Sequence, residues 1–324
     1  MIGAKYVVRT ALAAALGMGL GLGTASAETK IGIAQFGKHP QLDETVTAFK
    51  AELTKLGVTD AAYDELQVNF DATLIPQMVT KLVSSNPKLI LAITTPVAQG
   101  ARQIVGNSGT AVVFAAVTDP VAAKLTPSWE AGDTGMTGAS DLQDVSSVVE
   151  FIKKLLPDAK RLAYLYNPGE DNDVAVLKLI KEAAQAEGLE LVEVGLDNTN
   201  DIPIRVSSLA GKADVIYVPG SNLVQPAIPA VAAAALNINI PIVNASAQAV
   251  RDGLVAAAFE VSYTKVGQNA AKLASEIIAG KSPASLAPIK PTYEDHTALI
   301  NEAVLTKTGQ KVPDSLKDCE CFVK

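Results

Sequence analysis

The sequence predicts an α/β fold of two lobes, each built on a parallel sheet, and three observations lead there. Apolar runs of strand length alternate with stretches of helical period along most of the chain. The order β-α-β-α-β-α-β occurs twice, before and after Asp141, at comparable spacing. Two neighbouring strand exits end in polar clusters rather than in bare turn residues. Alternation of this kind places helices on both faces of a parallel sheet, and the repeated order favours two similar lobes with a cleft between them.

Taken in order, residues 30–35 form a short apolar strand, and Asp43 caps a helix in which Val46, Phe49, Leu53 and Leu56 recur at helical spacing before Gly57 stops it. A strand over 68–70, a helix over 75–83, a strand over 89–93, a helix over 97–105 and a strand over 112–117 complete the first half. The second half reads as a strand over 161–166, a helix over 174–186 closed by Gly188, a strand over 189–194 and a helix over 204–209. A strand over 214–218, an Ala-rich buried helix over 224–236 and a strand over 240–243 follow. A further strand over 254–261, an amphipathic helix over 263–279, a Pro-rich connector over 281–291 and a last strand and helix within 296–308 are too few for a third domain. They are expected to pass back across a hinge and complete both sheets.

Composition narrows the class. Lys5 and Arg9 precede an apolar stretch over 11–23 that is too short to span a bilayer and ends in Ala25-Ser26-Ala27, so residues 1–27 read as a cleavable secretory leader. The glycines at 17, 19, 21 and 23 belong to that leader; they follow no strand and do not fit a phosphate loop. No cysteine follows the cleavage site, so a free periplasmic protein beginning at Glu28 is expected. The rest of the chain has no apolar run long enough for a membrane span. With 48% hydrophobic residues it can bury a large core, and a net charge of −7 without a basic cluster argues against nucleic acid as a partner. Cys319 and Cys321, in an oxidising compartment, are expected to form a local or an intermolecular disulfide; two thiols are too few to cage a metal. Catalysis finds no support: His39 and His296 are far apart in sequence, no Gly-x-Ser-x-Gly elbow occurs, and the acids at 170, 171 and 173 read as a solvated loop at a helix start. No catalytic residue, cofactor or metal is expected.

Binding is placed at the two polar strand exits, Thr94-Thr95-Pro96-Val97-Ala98-Gln99 and Thr118-Asp119-Pro120, because ligands of open parallel sheets sit beyond the carboxyl ends of the strands, where helix N-termini present free N–H groups. Helix capping is the alternative role for Thr94, Thr95, Thr118 and Asp119.

Several ordered motifs then resemble one family. Ile31-Gly32-Ile33-Ala34-Gln35-Phe36 with His39-Pro40, the run from Leu89 to Gln99, Ala116-Val117-Thr118-Asp119-Pro120, Leu155-Leu156-Pro157-Asp158-Ala159-Lys160-Arg161, Tyr166-Asn167-Pro168-Gly169-Glu170 and Val215-Ile216-Tyr217-Val218-Pro219 look like the ABC-transporter substrate-binding family that includes tryptophan- and tyrosine-binding proteins. The resemblance spans the chain after the leader. It implies a type I periplasmic binding protein: two Rossmann-like lobes joined by a multi-crossing hinge, close on a small ligand, and deliver it to a membrane permease and its ATPase. The lobes are expected at 28–140 plus about 262–287 and at 141–261 plus about 288–324, in a monomer.

Carried over by position, the Thr94/Thr95 loop and Gln99 hold a ligand carboxylate, Thr118 and Asp119 orient the ligand, and Phe36 and His39 line the side-chain pocket. Asn167, Glu170, Asp173, Ser221, Asn222 and Ser246 reach in from the second lobe. The chain departs from the family at the residues that recognise an amine. Relatives commonly carry an acid after the Tyr-Val-Pro strand and another after the last strand of the second lobe; here these places read Gly220-Ser221-Asn222 and Asn244-Ala245-Ser246, while Asp173 replaces the usual serine of the Tyr-Asn-Pro loop. Asp119 is the expected partner of a ligand amine, and the ligand an aromatic amino acid or a related carboxylate. A periplasmic sensor that presents its ligand to a membrane receptor, and a secreted α/β enzyme, are the alternative functions.

Overall fold

The computed structural model describes residues 28–106 and 108–323; the expected leader over 1–27 and its glycines lie outside them. The first half runs β1 (Thr29–Gln35), α1 (Pro40–Lys55), β2 (Ala61–Gln67), α2 (Ile75–Ser84), β3 (Leu89–Ile93), α3 (Thr95–Val105), β4 (Ala111–Ala115) and β5 (Met136–Ala139). The second runs α4 (Val145–Leu155), β6 (Arg161–Tyr166), α5 (Asp171–Ala186), β7 (Glu190–Gly195), α6 (Ile202–Ser207), β8 (Val215–Val218), α7 (Ile228–Asn237), β9 (Ile242–Asn244), α8 (Ala247–Arg251) and β10 (Ala257–Val261). The chain closes with α9 (Tyr263–Ile278), β11 (His296–Ile300) and α10 (Glu302–Lys307).

Two sheets result. The first has the order β2-β1-β3-β4-β5 and is parallel throughout. The second has the order β11-β10-β9-β8-β6-β7 and is parallel except for the β10/β11 pair. Strand pleating sends alternate residues to opposite faces, and both faces are apolar, as a sheet covered by helices requires. In β3, Leu89, Leu91 and Ile93 enter the core shared with α1 and α9, whereas Ile90 and Ala92 enter the core shared with α2 and α3. In β8, Val215 and Tyr217 join the α4/α5 side and Ile216 and Val218 the α6/α7 side.

The chain passes between the sheets three times: from β5 to α4, from β10 to α9, and from the bridge that Ile289 makes with Ala139 to β11. The late elements therefore divide unequally. The second sheet gains β10 and β11, whereas the first lobe gains a helix, α9 against α1, and no more than that bridge at its sheet edge.

Other boundaries move for identifiable reasons. Helix α1 starts at Pro40, with His39 as its N-cap, because proline suits the first helical position; Asp43 lies in the first turn and accepts a hydrogen bond from Gln35 Nε2 (2.8 Å) instead of capping. At the other end Gly57 takes φ +91°, which leaves the stop where the sequence puts it. The second strand is not 68–70 but Ala61–Gln67, a half-exposed edge strand; Asn69 and Phe70 turn through positive φ just beyond it. The strand expected from 254 begins at Ala257, after a short helix and a Gly253 turn. The chain ends on a Cys319–Cys321 disulfide, the local form of the two expected, beside the pairing of Cys321 O with Ile300 N (2.7 Å).

Candidate functional site

The carboxyl ends of the two sheets face one another across a cleft with two adjoining chambers. The larger, with an empty volume of about 420 Å³, is walled on the first lobe by His39, Gln41 and Leu42 at the start of α1, Phe70 beyond β2, and Thr94, Thr95 and Ala116 at the ends of β3 and β4. The second lobe supplies Ser221, Asn222, Gln225 and Pro226 from the loop after β8. The smaller, about 360 Å³, reaches Gln143, Asp173, Val176 and Ala245. Thr118, Asp141, Asn172, Gly220 and Tyr263 line both.

Thr94 shows how tightly the first wall is held. Its backbone sits at φ 86°, ψ 157°, a region left almost wholly to glycine, because Thr94 N must reach Ala115 O (3.0 Å) while Thr94 O accepts from Ala98 N (3.0 Å) to open α3. The side chain is 3% exposed, and its Oγ1 has no hydrogen-bond partner. A buried hydroxyl left unpaired beside a helix N-terminus is the arrangement an anionic group completes.

Asp141 dominates the electrostatics. It lies just past β5, on the first crossing between lobes, and its oxygens accept from Thr118 Oγ1 (3.0 Å) and Tyr263 Oη (2.8 Å), the latter at the start of α9 on the second crossing. Burial raises its pKa, against the lowering effect of those two hydroxyls; burial and the Asp141 charge together push the Tyr263 phenol well up. Among the described residues no Lys or Arg lines either chamber, and His39, the one imidazole there, has its pKa lowered by burial against the pull of Asp43. The cleft therefore offers buried negative charge without a protein cation to meet it.

The second wall is stitched by carboxylates. Glu170 accepts from Asn222 N (2.9 Å), Asn222 Nδ2 (2.7 Å), Leu223 N (2.9 Å) and Asn172 Nδ2 (3.2 Å), which fixes the loop after β8 to the start of α5. Gln41 and Gln99 span the cleft: Gln41 Nε2 donates to Ala245 O (3.1 Å) and to Glu260 Oε2 (3.4 Å), and Gln99 Nε2 donates to Asp171 Oδ2 (2.7 Å). The lobes are thus closed on each other.

Of the residues singled out from sequence, the fold brings His39, Thr94, Thr95, Thr118, Asp173, Ser221 and Asn222 to the chamber walls. The others lie off them. Phe36 is core, edge-on to Phe70 at 5.5 Å, and Phe70 takes the wall position instead. Gln99 bridges the lobes at the rim. Asp119 spends Oδ1 on the N–H groups of Val121 (2.9 Å) and Ala122 (3.0 Å), so it holds a turn. Asn167 caps its own loop through Gly169 N (2.9 Å), Glu170 is the brace just described, and Ser246 is the buried N-cap of α8. Sequence reading missed Asp141, Asn172, Gln41 and Tyr263. Strand-end position was the available signal for Asp141, which follows an exit like those after β3 and β4.

Two α/β lobes with a closed cleft at their facing carboxyl ends have the fold of the type I periplasmic binding proteins. The model of the ABC transporter substrate binding protein family matches residues 30–320, and the chain belongs to that family. It is 32% identical over 283 residues to a tyrosine-binding protein of Clostridioides difficile (strain R20291), covering 86% of this chain and 80% of that one. An ABC domain from Streptococcus pneumonia in complex with L-Trp superposes with TM-score 0.86 at 27% identity, over 92% of this chain and all of that one. The ligand-free, open form of a substrate binding protein with adhesive properties from Clostridium difficile gives 0.69 at 32% identity, over 91% and 99%. The better match to a liganded relative agrees with the closed cleft.

Proposed function

We infer that this protein is the periplasmic solute receptor of an ABC importer and that its ligand is an α-amino acid, with an aromatic side chain first in line. The observation that carries the reading is Asp141, a buried carboxylate on the wall common to both chambers, with no basic side chain beside it. A buried charge without a partner is costly, and a ligand ammonium supplies one. The ligand carboxylate goes to the N-terminus of α3, where Thr94 Oγ1 lacks a partner, and Phe70, Leu42 and Pro226 face the side chain. The tyrosine- and tryptophan-binding relatives support the same class. The Ala25-Ser26-Ala27 leader supports export, and the permease and its ATPase receive the closed, loaded form.

The amine recognition moves from Asp119, where sequence reasoning placed it, to Asp141. Calorimetric titration with an L-amino acid and its deaminated analogue tests both. Asp141→Asn is expected to cost about 3 kcal/mol or more with the amino acid. Asp119→Asn is expected to change affinity by under about 1 kcal/mol, because the amide oxygen still accepts from Val121 N and Ala122 N and the turn is kept. Equal wild-type affinity for the amino acid and its analogue would sink the amine reading.

A further inference from the structure

The Cys319–Cys321 disulfide takes no part in the cleft, and stability does not account for it. One residue separates the two cysteines. The stabilisation a disulfide gives by restricting the unfolded chain grows with the loop it closes, so this bond lies at the small end of that effect. The fold holds Cys321 without it. Ile300 N donates to Cys321 O (2.7 Å) and Val323 N to Ile300 O (2.9 Å), which sets a short parallel bridge beside the edge strand β11. The Cys321 side chain, 8% exposed, belongs to the core packed around α4 and α5, and Phe322 lies against the same core. Cys319 differs. It is only half-buried, at the end of a turn closed by Cys319 N to Leu316 O (3.1 Å), and its Sγ accepts from Cys321 N (3.2 Å). The two sulfurs are therefore unequal. One is within reach of solvent and has an N–H to hold it as a thiolate, whereas the other sits where a neutral thiol packs as a small apolar group.

We propose that Cys319–Cys321 is an exchange-active disulfide, opened through Cys319 by a dithiol protein while both lobes stay folded. A thiolate of that reductant attacks Cys319 Sγ. A sulfur–sulfur bond forms to Cys319 as the Cys319–Cys321 bond breaks, and the released electron pair goes to Cys321 Sγ, which takes up a proton. The reductant's second thiolate then attacks its own first sulfur and expels Cys319 as a thiolate, which is protonated in turn. The reductant departs as a disulfide, and the two protons it gave up equal the two the cysteines gained. The hydrogen bond from Cys321 N assists the second displacement, because a better-stabilised thiolate is a better leaving group. Throughout, the backbone pairing with Ile300 keeps Cys321 in place, so the oxidised form of the same dithiol protein can close the bond again.

The test uses the unaltered protein under native conditions, with a reduced thioredoxin as the dithiol probe. Rapid alkylation followed by mass spectrometry of the peptides counts the thiols at each position. Both cysteines are expected to appear as thiols while the far-UV circular dichroism keeps its folded form, and Cys319 should be alkylated at least about tenfold faster than Cys321. A thioredoxin variant lacking its second thiol stalls after the first displacement, and the trapped mixed disulfide should map to Cys319. A bond that stayed closed until denaturant was added would overturn the proposal and leave an inert local bridge. So would a mixed disulfide on Cys321, or equal alkylation of the two thiols.

Discussion

Thr94 carries a cost the fold does not need. A β-branched residue at φ 86° stores on the order of 1–3 kcal/mol, and glycine would adopt the same backbone freely. Thr94→Gly is therefore expected to leave the apo melting temperature unchanged or raised, while ligand affinity falls by about 1–3 kcal/mol through loss of the unpaired hydroxyl. Parallel thermal melts and titrations check it; a drop in apo stability with affinity intact would make Thr94 a structural cap only. Asp141 gives a pH dependence whose sign is fixed. Its folded pKa lies above the ordinary 3.8, so between the two values the native state holds more protons than the unfolded one and apo stability declines as pH rises through that window. An ammonium beside the carboxylate lowers the pKa again, so binding releases a proton and affinity for an amine-bearing ligand should rise with pH over the same window. Titrations in buffers of different ionisation enthalpy would read that release, and a deaminated analogue should show none. The loops holding Thr94 and Thr118 were legible in sequence because their strands are unbroken apolar runs. Asn172 was not, since nothing in a linear acidic stretch shows which member turns inward.

At the scale of elements, the helices that cover the first sheet depend on one close approach. A β-carbon on Gly267 of α9 would lie 2.4 Å from Thr45 O and 3.0 Å from Phe49 N, both backbone atoms of α1. Gly267→Ala is thus expected to destabilise by about 1–3 kcal/mol despite alanine's better helix propensity, as chemical denaturation would show; a neutral result would mean that α1 and α9 slide apart without penalty. Long amphipathic helices such as α9 were readable from period alone. β5 and α4 were not read: β5 is four residues, Met-Thr-Gly-Ala, with no alternation, and α4 follows it within a stretch to which the sequence reading assigns no element. β2 was misplaced because an edge strand paired on one side needs no continuous apolar run, and the apolar Val68 and Phe70 beyond it belong to the core and the cleft wall.

For the whole molecule, closure is held by few direct bonds across the cleft, so each should matter to the open–closed balance. Gln41 donates to Ala245 O and, at 3.4 Å, to Glu260 Oε2, joining α1 to the far lobe. Gln41→Ala is expected to weaken ligand affinity by about 1 kcal/mol and to enlarge the radius of gyration of the apo protein in X-ray scattering, with the saturated form unchanged. An unaltered apo profile with unaltered affinity would show that this bond follows closure without favouring it. The lobed architecture was legible from the repeated strand–helix order, but the destination of the last elements was not, because which sheet a late strand joins is decided by pairing between residues far apart in sequence.

That interleaving also bears on the order in which the molecule can be completed. The first lobe buries Phe49 and Leu53 under a helix that is not synthesised until residues 263–278, after every strand of the second sheet except β11. The lobe begun first must therefore wait with an apolar face uncovered through most of chain elongation. A chain cut short anywhere before Tyr263 would leave that face bare and open to aggregation or proteolysis, so no N-terminal fragment of this protein can contain a finished first lobe.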